Sequence, residues 1–476
     1  MTARVAVVGD VLLDRDVVGS VSRVCPDVPV PVVDVDTEVA RPGGAGLAAT
    51  LLAQDGLDVT VVAPVGRDAA GHSVSRLLAA RGVRLLALPT NGTTREKVRV
   101  RAGDQSLVRL DRGTPCAPSG DLPDAVLDAL EQADAVLVCD YAGGTTADPG
   151  VRSALEAVAT ARPLVWDPHQ RGERPVPGAR LVTPNEQEAA ALAPGSMRGG
   201  SPLALARRRA DDLLAAWQAH AVCVTLSDRG ALLAYGSGAP LVVPAERVAG
   251  GDTCGAGDRF AATAAAALAG GEVVSEAVQR AVAAATVFVA AGGAAGVSLR
   301  PVAAEPAGPT EPAAGWPGAS TGTARIDRVR AAGGTVVATG GCFDLLHAGH
   351  VGLLRAARAL GDCLVVCLNS DDSVRRLKGP SRPLVPEADR VRVLEALECV
   401  DAVVVFDDET PEGVLDKLRP DVWAKGGDYA LSDLPEAEVV ARWHGETVVL
   451  PYLDGRSTTA LVGAATGRTP TTEETR

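Results

Sequence analysis

The chain has 476 residues, 47% hydrophobic and 22% charged, with 3% aromatics and a formal charge of −13. This is an ordinary soluble balance, long enough for two or three domains, and its sign excludes a nucleic-acid surface built on clustered Lys and Arg. The nine cysteines are scattered without a CxxC spacing, which points to reduced thiols in a cytoplasm. The apolar start VAVVGDVLLDRD is interrupted by Asp10, Asp14 and Asp16, unlike a signal peptide, and no apolar run reaches the ~18 residues of a membrane span.

In chain order, VAVVGD, VTVVAPV, AVLVCD, PLVWDP, RLVTPN and AVCVTLS read as strands separated by alanine-rich helical stretches. Continuous apolar runs of this kind imply parallel strands covered on both faces. Ligands gather at the carboxyl ends of such strands. Asp10, Asp140, Asp167, Asn185 and, later, Asn369 stand there and are candidates as a class, although polar residues at strand ends also form turns. RPGGAG at 41–46 is a glycine turn leading into a helix. The stretch REKVRVRAGDQSLVRLD at 95–111 carries Lys97, Arg99, Arg101 and Arg109, some on one strand face by alternation. They suit a phosphorylated sugar, or simply solvent. DTCGAGD at 252–258 precedes the helix former RFAATAAAALAGG. Small residues there let backbone N–H groups hold a transferring phosphoryl group, and Asp258 could take a proton from an attacking hydroxyl or simply cap the helix.

Residues 301–324 are dominated by Pro, Gly, Ala, Ser and Thr without an apolar period. The expected division is a domain over 1–304, a linker over 305–325 and a second domain over 326–476. In the second piece TVVATGG, CLVVCLN, AVVVF and DVWAKGG are strand-like. His347 and His350, in TGGCFDLLHAGHVGLL, lie where a strand turns into a helix. Zinc would want further ligands, but His444 is the only other histidine of this piece. Two imidazoles at a helix start fit a phosphate better.

Taken together, RPGGAG, the NxxE of TPNEQE (183–188), VTLSDRG (224–230) and DTCGAGD resemble the ribokinase-like (PfkB) sugar kinases. The resemblance implies Asp258 as catalytic base and Gly255, Ala256 and Gly257 as anion hole. It puts Asn185 and Glu188 near Mg2+ and the ATP phosphates through water, with no direct protein ligand to the metal. Ser227, Asp228 and Gly230 would line the nucleotide site, and Asp14, Gly43 and Gly44 would face the sugar, the glycines serving otherwise as a tight turn. SRVCPDVPVPVV (22–33) and the 95–111 segment are similar to heptose-7-phosphate kinases, which adds Lys97 and Arg99 to the sugar site. TGGCFDLLHAGH resembles the HxGH nucleotidyltransferases, with Gly341, Phe343, Asp344, Lys378 (in LNSDDSVRRLKGPSRP), Lys425 (in WAKGGDY, with Asp428), Ser457 and Thr458 (in DGRSTTALV) as nucleotide-binding residues beside the histidines.

The fold class implied is α/β: a ribokinase-like parallel-sheet kinase domain plus a smaller Rossmann-like nucleotidyltransferase domain. The order resembles the bifunctional D-glycero-β-D-manno-heptose-7-phosphate kinase/heptose-1-phosphate adenylyltransferases, which make ADP-heptose from ATP. A cytoplasmic enzyme acting on small molecules, without nucleic-acid or membrane partners and dimeric through the kinase piece, is the expectation. The other readings are the same chemistries on another sugar phosphate or base, and a kinase with a non-catalytic regulatory C-terminal domain. Two departures bear on the sugar: Leu47 stands where the family has a sugar-facing Asn, and Asp167-Pro168-His169 where it tends to have Asp-Pro-Lys. Leu47 could instead turn into the core of its helix.

Overall fold

The computed structural model describes residues 2–297 and 322–451, apart from 29, 104, 115, 196–200, 237, 247, 249 and 428–433. Asp428, Ser457, Thr458 and most of the expected linker lie outside the described residues. The last residues assigned to that linker already belong to the helix Gly322–Ala331. Two compact units emerge: residues 1–194, 210–227 and 245–302, and residues 195–209, 228–244 and 303–476.

In the first unit seven parallel strands run in the order Val222–Thr225, Leu181–Val182, Leu164–Asp167, Ala135–Cys139, Arg4–Gly9, Asp58–Pro64 and Arg84–Leu88. Val5 to Val8 and Val136 to Cys139 are buried throughout, as expected for strands covered on both faces. The first strand is central. The chain fills one side of it and then returns to fill the other, so the strand order switches between Arg4–Gly9 and Ala135–Cys139. Helix Ala256–Ala269 is alanine-rich, a strong propensity signal, and packs its small buried face against helix Ala45–Gln54.

A second sheet, less legible in sequence, has the order Pro31–Gly44, Val11–Val24, Arg95–Ala102, Gln105–Arg112. Its strands are long and polar, and Arg95, Lys97, Arg99 and Arg101 alternate onto one face. Val24, Val35 and Val108 of this sheet remain 60%, 56% and 47% exposed.

The second unit contains a five-stranded parallel sheet ordered Ala402–Phe406, Cys363–Asn369, Val336–Gly341, Val422–Gly426, Glu446–Leu450. This is the 3-2-1-4-5 order of a doubly wound fold, with its switch between Val336–Gly341 and Val422–Gly426. Trp423 fills the core beside Gly340, where a Cβ would lie 2.5 Å from its ring. Gly340→Ala should therefore overpack the strand and cost about 1–3 kcal/mol. Chemical unfolding followed by tryptophan fluorescence should show an earlier midpoint than in the parent protein.

Candidate active sites

The turn at 252–258 delivers helix Ala256–Ala269 with Gly255 as N-cap at φ 82°. That conformation favours glycine, and a Cβ there would also meet Leu47 Cδ2 at 2.9 Å. Leu47 is buried; it sits in the core and supports the turn from below. A Cβ on Gly257 would meet nothing, so the turn is open on that side. The Ala256 N–H donates to the Thr253 carbonyl at 3.1 Å. This leaves the Gly255 and Gly257 amides as the donors for an anion at the positive end of the helix.

Asp258, the third helical residue, is buried. Burial pushes its carboxyl up to about 7; the Tyr141 hydroxyl, donating to Oδ1 at 2.7 Å, pulls it down, Asp14 raises it and Lys97 lowers it. A carboxylate poised there can accept a hydroxyl proton at neutral pH. Tyr141 is the residue that sequence reasoning missed. Its only signal is its place directly after Asp140 at the end of a central strand. Burial, and then Asp258, raise its phenol well above the usual range, so it remains a donor. Its N–H donates to Asp10 at 3.0 Å, Arg95 donates to its carbonyl at 3.0 Å, and the Lys97 ammonium lies 5.2 Å from its ring centre.

The expected sugar residues converge on the same place. Arg99 donates to Asp14 at 3.0 Å and to Cys254 Sγ at 3.5 Å. Burial lowers Lys97, with Asp14 opposing the shift. A Cβ on Gly43 would collide with the Asp14 carboxylate, and one on Gly44 (φ 61°) would lie 2.5 Å from the Asp10 carbonyl and 3.3 Å from the Tyr141 ring. These glycines make the tight turn and also clear the site. Arg101 approaches Asp252 at 3.9 Å. Arg109 is exposed and bonded to Asp111 on its own strand. His169 Nδ1 accepts from the Arg171 N–H at 3.2 Å.

Asn185 and Glu188 form a capping box on helix Glu186–Leu192. Asn185 Oδ1 accepts from the Gln187 and Glu188 amides, each at 2.9 Å, and Glu188 Oε2 from the Asn185 N–H at 2.9 Å. Asp167, held by the Thr183 hydroxyl at 2.9 Å, is raised well above the carboxylate range by burial and then by the Glu188 charge. Two carboxyl groups crowded in this way fit a hydrated divalent cation. Among the described residues no group of three side chains forms a direct metal cluster. Ser227 and Asp228 lie in the 3-10 turn Ser227–Arg229 after strand Val222–Thr225, followed by Gly230 at φ 94°.

In the second unit His347 is the N-cap of helix Ala348–Arg358. The His347 and His350 rings stack with centres 3.9 Å apart, and Phe343 lies 5.2 Å from His350. Both Nδ1 atoms are buried, so Nε2 is the nitrogen each ring can offer a ligand. Burial, then the neighbouring His347 and Lys378, push His350 down to about 4. It is therefore neutral at pH 7 and can offer a ligand one ring nitrogen for a hydrogen bond. Gly341 borders Phe343: a Cβ there would lie 3.3 Å from its ring.

Two expected nucleotide residues serve the protein itself. Asp344 accepts from the Leu384 and Val385 amides at 2.6 and 3.0 Å and pairs with Arg382 at 2.5 Å. Lys425 pairs with the buried Glu436 at 2.9 Å. Sequence reading also missed Arg390, 1% exposed, whose guanidinium donates to the Cys342, Asn369 and Val385 carbonyls and to Asp371. A cavity of about 300 Å³ opens at the switch point, walled by Gly340, Gly341, Phe406, Glu409, Lys425 and Glu436 among others.

The pfkB family carbohydrate kinase profile matches residues 2–300, and a cytidylyltransferase-like profile matches 338–450. The bifunctional protein HldE of Streptomyces coelicolor is 57% identical, with 96% of both chains covered. The chain belongs to this bifunctional family. It is a sugar kinase and a nucleotidyltransferase in one polypeptide, with sugar and ATP as small-molecule substrates. HldE proteins of Azorhizobium caulinodans and Halorhodospira halophila are each 40% identical over 97% and 98% of this chain and 98% of theirs. Arabidopsis thaliana ribokinase, complexed with ribose and ATP, shares the fold of 63% of this chain over 97% of its own, with a TM-score of 0.50 and 22% identity. Among the described residues no helix is long and apolar enough to cross a membrane.

Two outcomes follow from the electrostatics. Tyr141→Phe removes the bond that lowers Asp258, so the acid limb of kinase kcat/KM, measured from pH 6 to 9, should move up by about one pH unit; an unmoved limb would separate Tyr141 from the base. NMR titration should find His350 protonating near pH 4 in the free protein. Added nucleoside triphosphate should raise that value, because the anion favours the imidazolium.

Proposed function

We propose that the chain phosphorylates D-glycero-β-D-manno-heptose 7-phosphate at its anomeric oxygen and transfers adenylyl from ATP to heptose 1-phosphate, giving ADP-heptose and pyrophosphate. The kinase and adenylyltransferase architecture fits ADP-heptose biosynthesis. The observation that carries the reading is the buried Asp258 at an open helix start, facing Tyr141 and the cationic strand.

In the kinase unit Asp258 takes the anomeric hydroxyl proton as that oxygen attacks the γ-phosphorus and the bond to ADP breaks. The Gly255–Gly257 turn holds the charge of the transferring group. Asp14, Gly43 and Gly44 orient the sugar, Lys97 and Arg99 hold its 7-phosphate, and Ser227 contributes to the nucleotide site. Mg2+, carried through water near Asn185, Glu188 and Asp167, would neutralise the ATP phosphates. In the transferase unit the phosphate of heptose 1-phosphate is itself the nucleophile at the α-phosphorus. His347, His350, Phe343, Gly341 and Lys378 position the triphosphate, and the histidines donate to it as pyrophosphate leaves. A homodimer through the exposed valines of the second sheet and a cytoplasmic location complete the proposal.

Exchange of single residues should separate the two reactions. Asp258→Asn should lower kinase turnover by ~10²–10⁴-fold while nucleotidyl transfer to supplied sugar 1-phosphate persists. His350→Ala should reverse that pattern. Coupled assays for ADP and for pyrophosphate on the same preparations read both; kinase turnover within threefold of the parent in Asp258→Asn would refute the base assignment.

A further inference from the structure

The loop that follows strand Leu164–Asp167 reaches the kinase site and carries a side chain that the phosphoryl chemistry leaves unused. Its turn is closed by the Gly172 N–H, which donates to the His169 carbonyl at 2.8 Å. The Glu173 N–H donates to Asp140 Oδ2 at 2.8 Å, and a Cβ on Gly172 would lie 2.2 Å from the same oxygen, so the loop rests directly on Asp140. The other Asp140 oxygen accepts from the Ala142 N–H at 2.7 Å. Asp140 thus joins this loop to the turn that carries Tyr141 to Asp258. His169 is half-buried there. Its Nδ1 accepts from the Arg171 N–H at 3.2 Å, which fixes the hydrogen of the neutral ring on Nε2. Nε2 itself has no partner among the described residues.

Burial lowers the pKa of His169; Asp140 opposes the shift, and Arg171, Lys97 and Arg95 add to it. These charges sit at the end of strand Ala135–Cys139, on the loop itself and on strand Arg95–Ala102. The ring therefore supplies an N–H without a charge. Lys97 and Arg99 already suit a phosphate, so a neutral donor on this side suits an uncharged acceptor. Resting on the heptose 7-phosphate kinase reading above, we propose that His169 is a substrate-binding residue whose Nε2–H donates to a hydroxyl oxygen of the sugar bound beside Tyr141. A site that bonds a substrate hydroxyl in this way rejects sugars that lack it, because its own donor is then left unpaired.

The test is steady-state phosphorylation of heptose 7-phosphate by the full chain in the parent, His169→Asn and His169→Gln. The shorter amide places its oxygen near the position of Nδ1 and keeps the acceptor of the turn; the longer one places its NH2 near Nε2 and keeps the donor. His169→Asn should raise the KM of the sugar by at least ~10-fold, with the KM of ATP within about twofold of the parent. His169→Gln should keep the sugar KM within about threefold. The ratio of parent to His169→Asn should stay constant from about pH 6 to 9, because the donor is neutral throughout and the ratio cancels the titration of the substrate phosphate. Nucleotidyl transfer in the same preparations checks the chain. The reverse order of the two variants would assign His169 to the turn alone and overturn the proposal. Equal losses, no loss, or a change confined to the KM of ATP would overturn it too. A ratio that grows as pH falls would place an imidazolium on a phosphate and overturn the hydroxyl assignment. If the parent phosphorylates no heptose 7-phosphate at all, the substrate reading falls, and the proposal with it.

Discussion

A parallel strand gains its neighbour only after the chain has crossed back over the sheet, and that crossover is right-handed. When a chain fills one side of its first strand and then the other, the two sets of connections leave on opposite faces and open a crevice at the carboxyl ends. Both units obey this constraint. In the first, Asp10 and Tyr141 follow the two strands that flank the switch. Asp10 accepts from the Tyr141, Gly143 and Thr145 amides and from the Thr145 hydroxyl. It closes the turn that carries Tyr141 to Asp258. In the second unit Gly340 and Gly341 end one flanking strand and Lys425 lies in the other, with the cavity between them.

Charge is then arranged around these crevices by burial. Asp258 would be a poor base if it ionised as easily as a surface aspartate, and inert if burial acted unopposed. The opposing influences are local and named: desolvation and Asp14 on one side, Tyr141 and Lys97 on the other. The helix start adds partial positive charge that favours the ionised form. Gly255 and Leu47 hold that start in place, the glycine because its backbone is left-handed and the leucine because it packs against the turn. An asparagine at position 47 would have to bring its amide into this apolar contact, so the leucine serves the packing beneath the turn.

The strands and helices that build the two parallel sheets were legible because they are short, apolar and separated by alanine-rich runs. The second sheet was less so. Val11–Val24 and Pro31–Gly44 are long strands with alternating polar residues and several prolines nearby, a pattern that local rules read as loop. DTCGAGD and HAGH were visible because glycines and reactive residues adjoin in sequence. Tyr141 was not, because its partner Asp258 lies 117 residues away. Asn185, Glu188 and Asp344 show the converse limit. Their residue types suit phosphate or metal chemistry, yet capping geometry and the Leu384 and Val385 amides account for most of their oxygens. Pattern shows which residues can act; only the fold shows which atoms are already spent.

The two sites differ most in the sign of the field they offer. In the kinase unit Arg95, Lys97, Arg99 and Arg101 share one strand face near Asp258, and burial lowers the Lys97 ammonium, a shift that a nearby phosphate would oppose. Among the described residues that wall the transferase cavity, the carboxylates are Glu409 and Glu436 and the cation is Lys425, which pairs with Glu436.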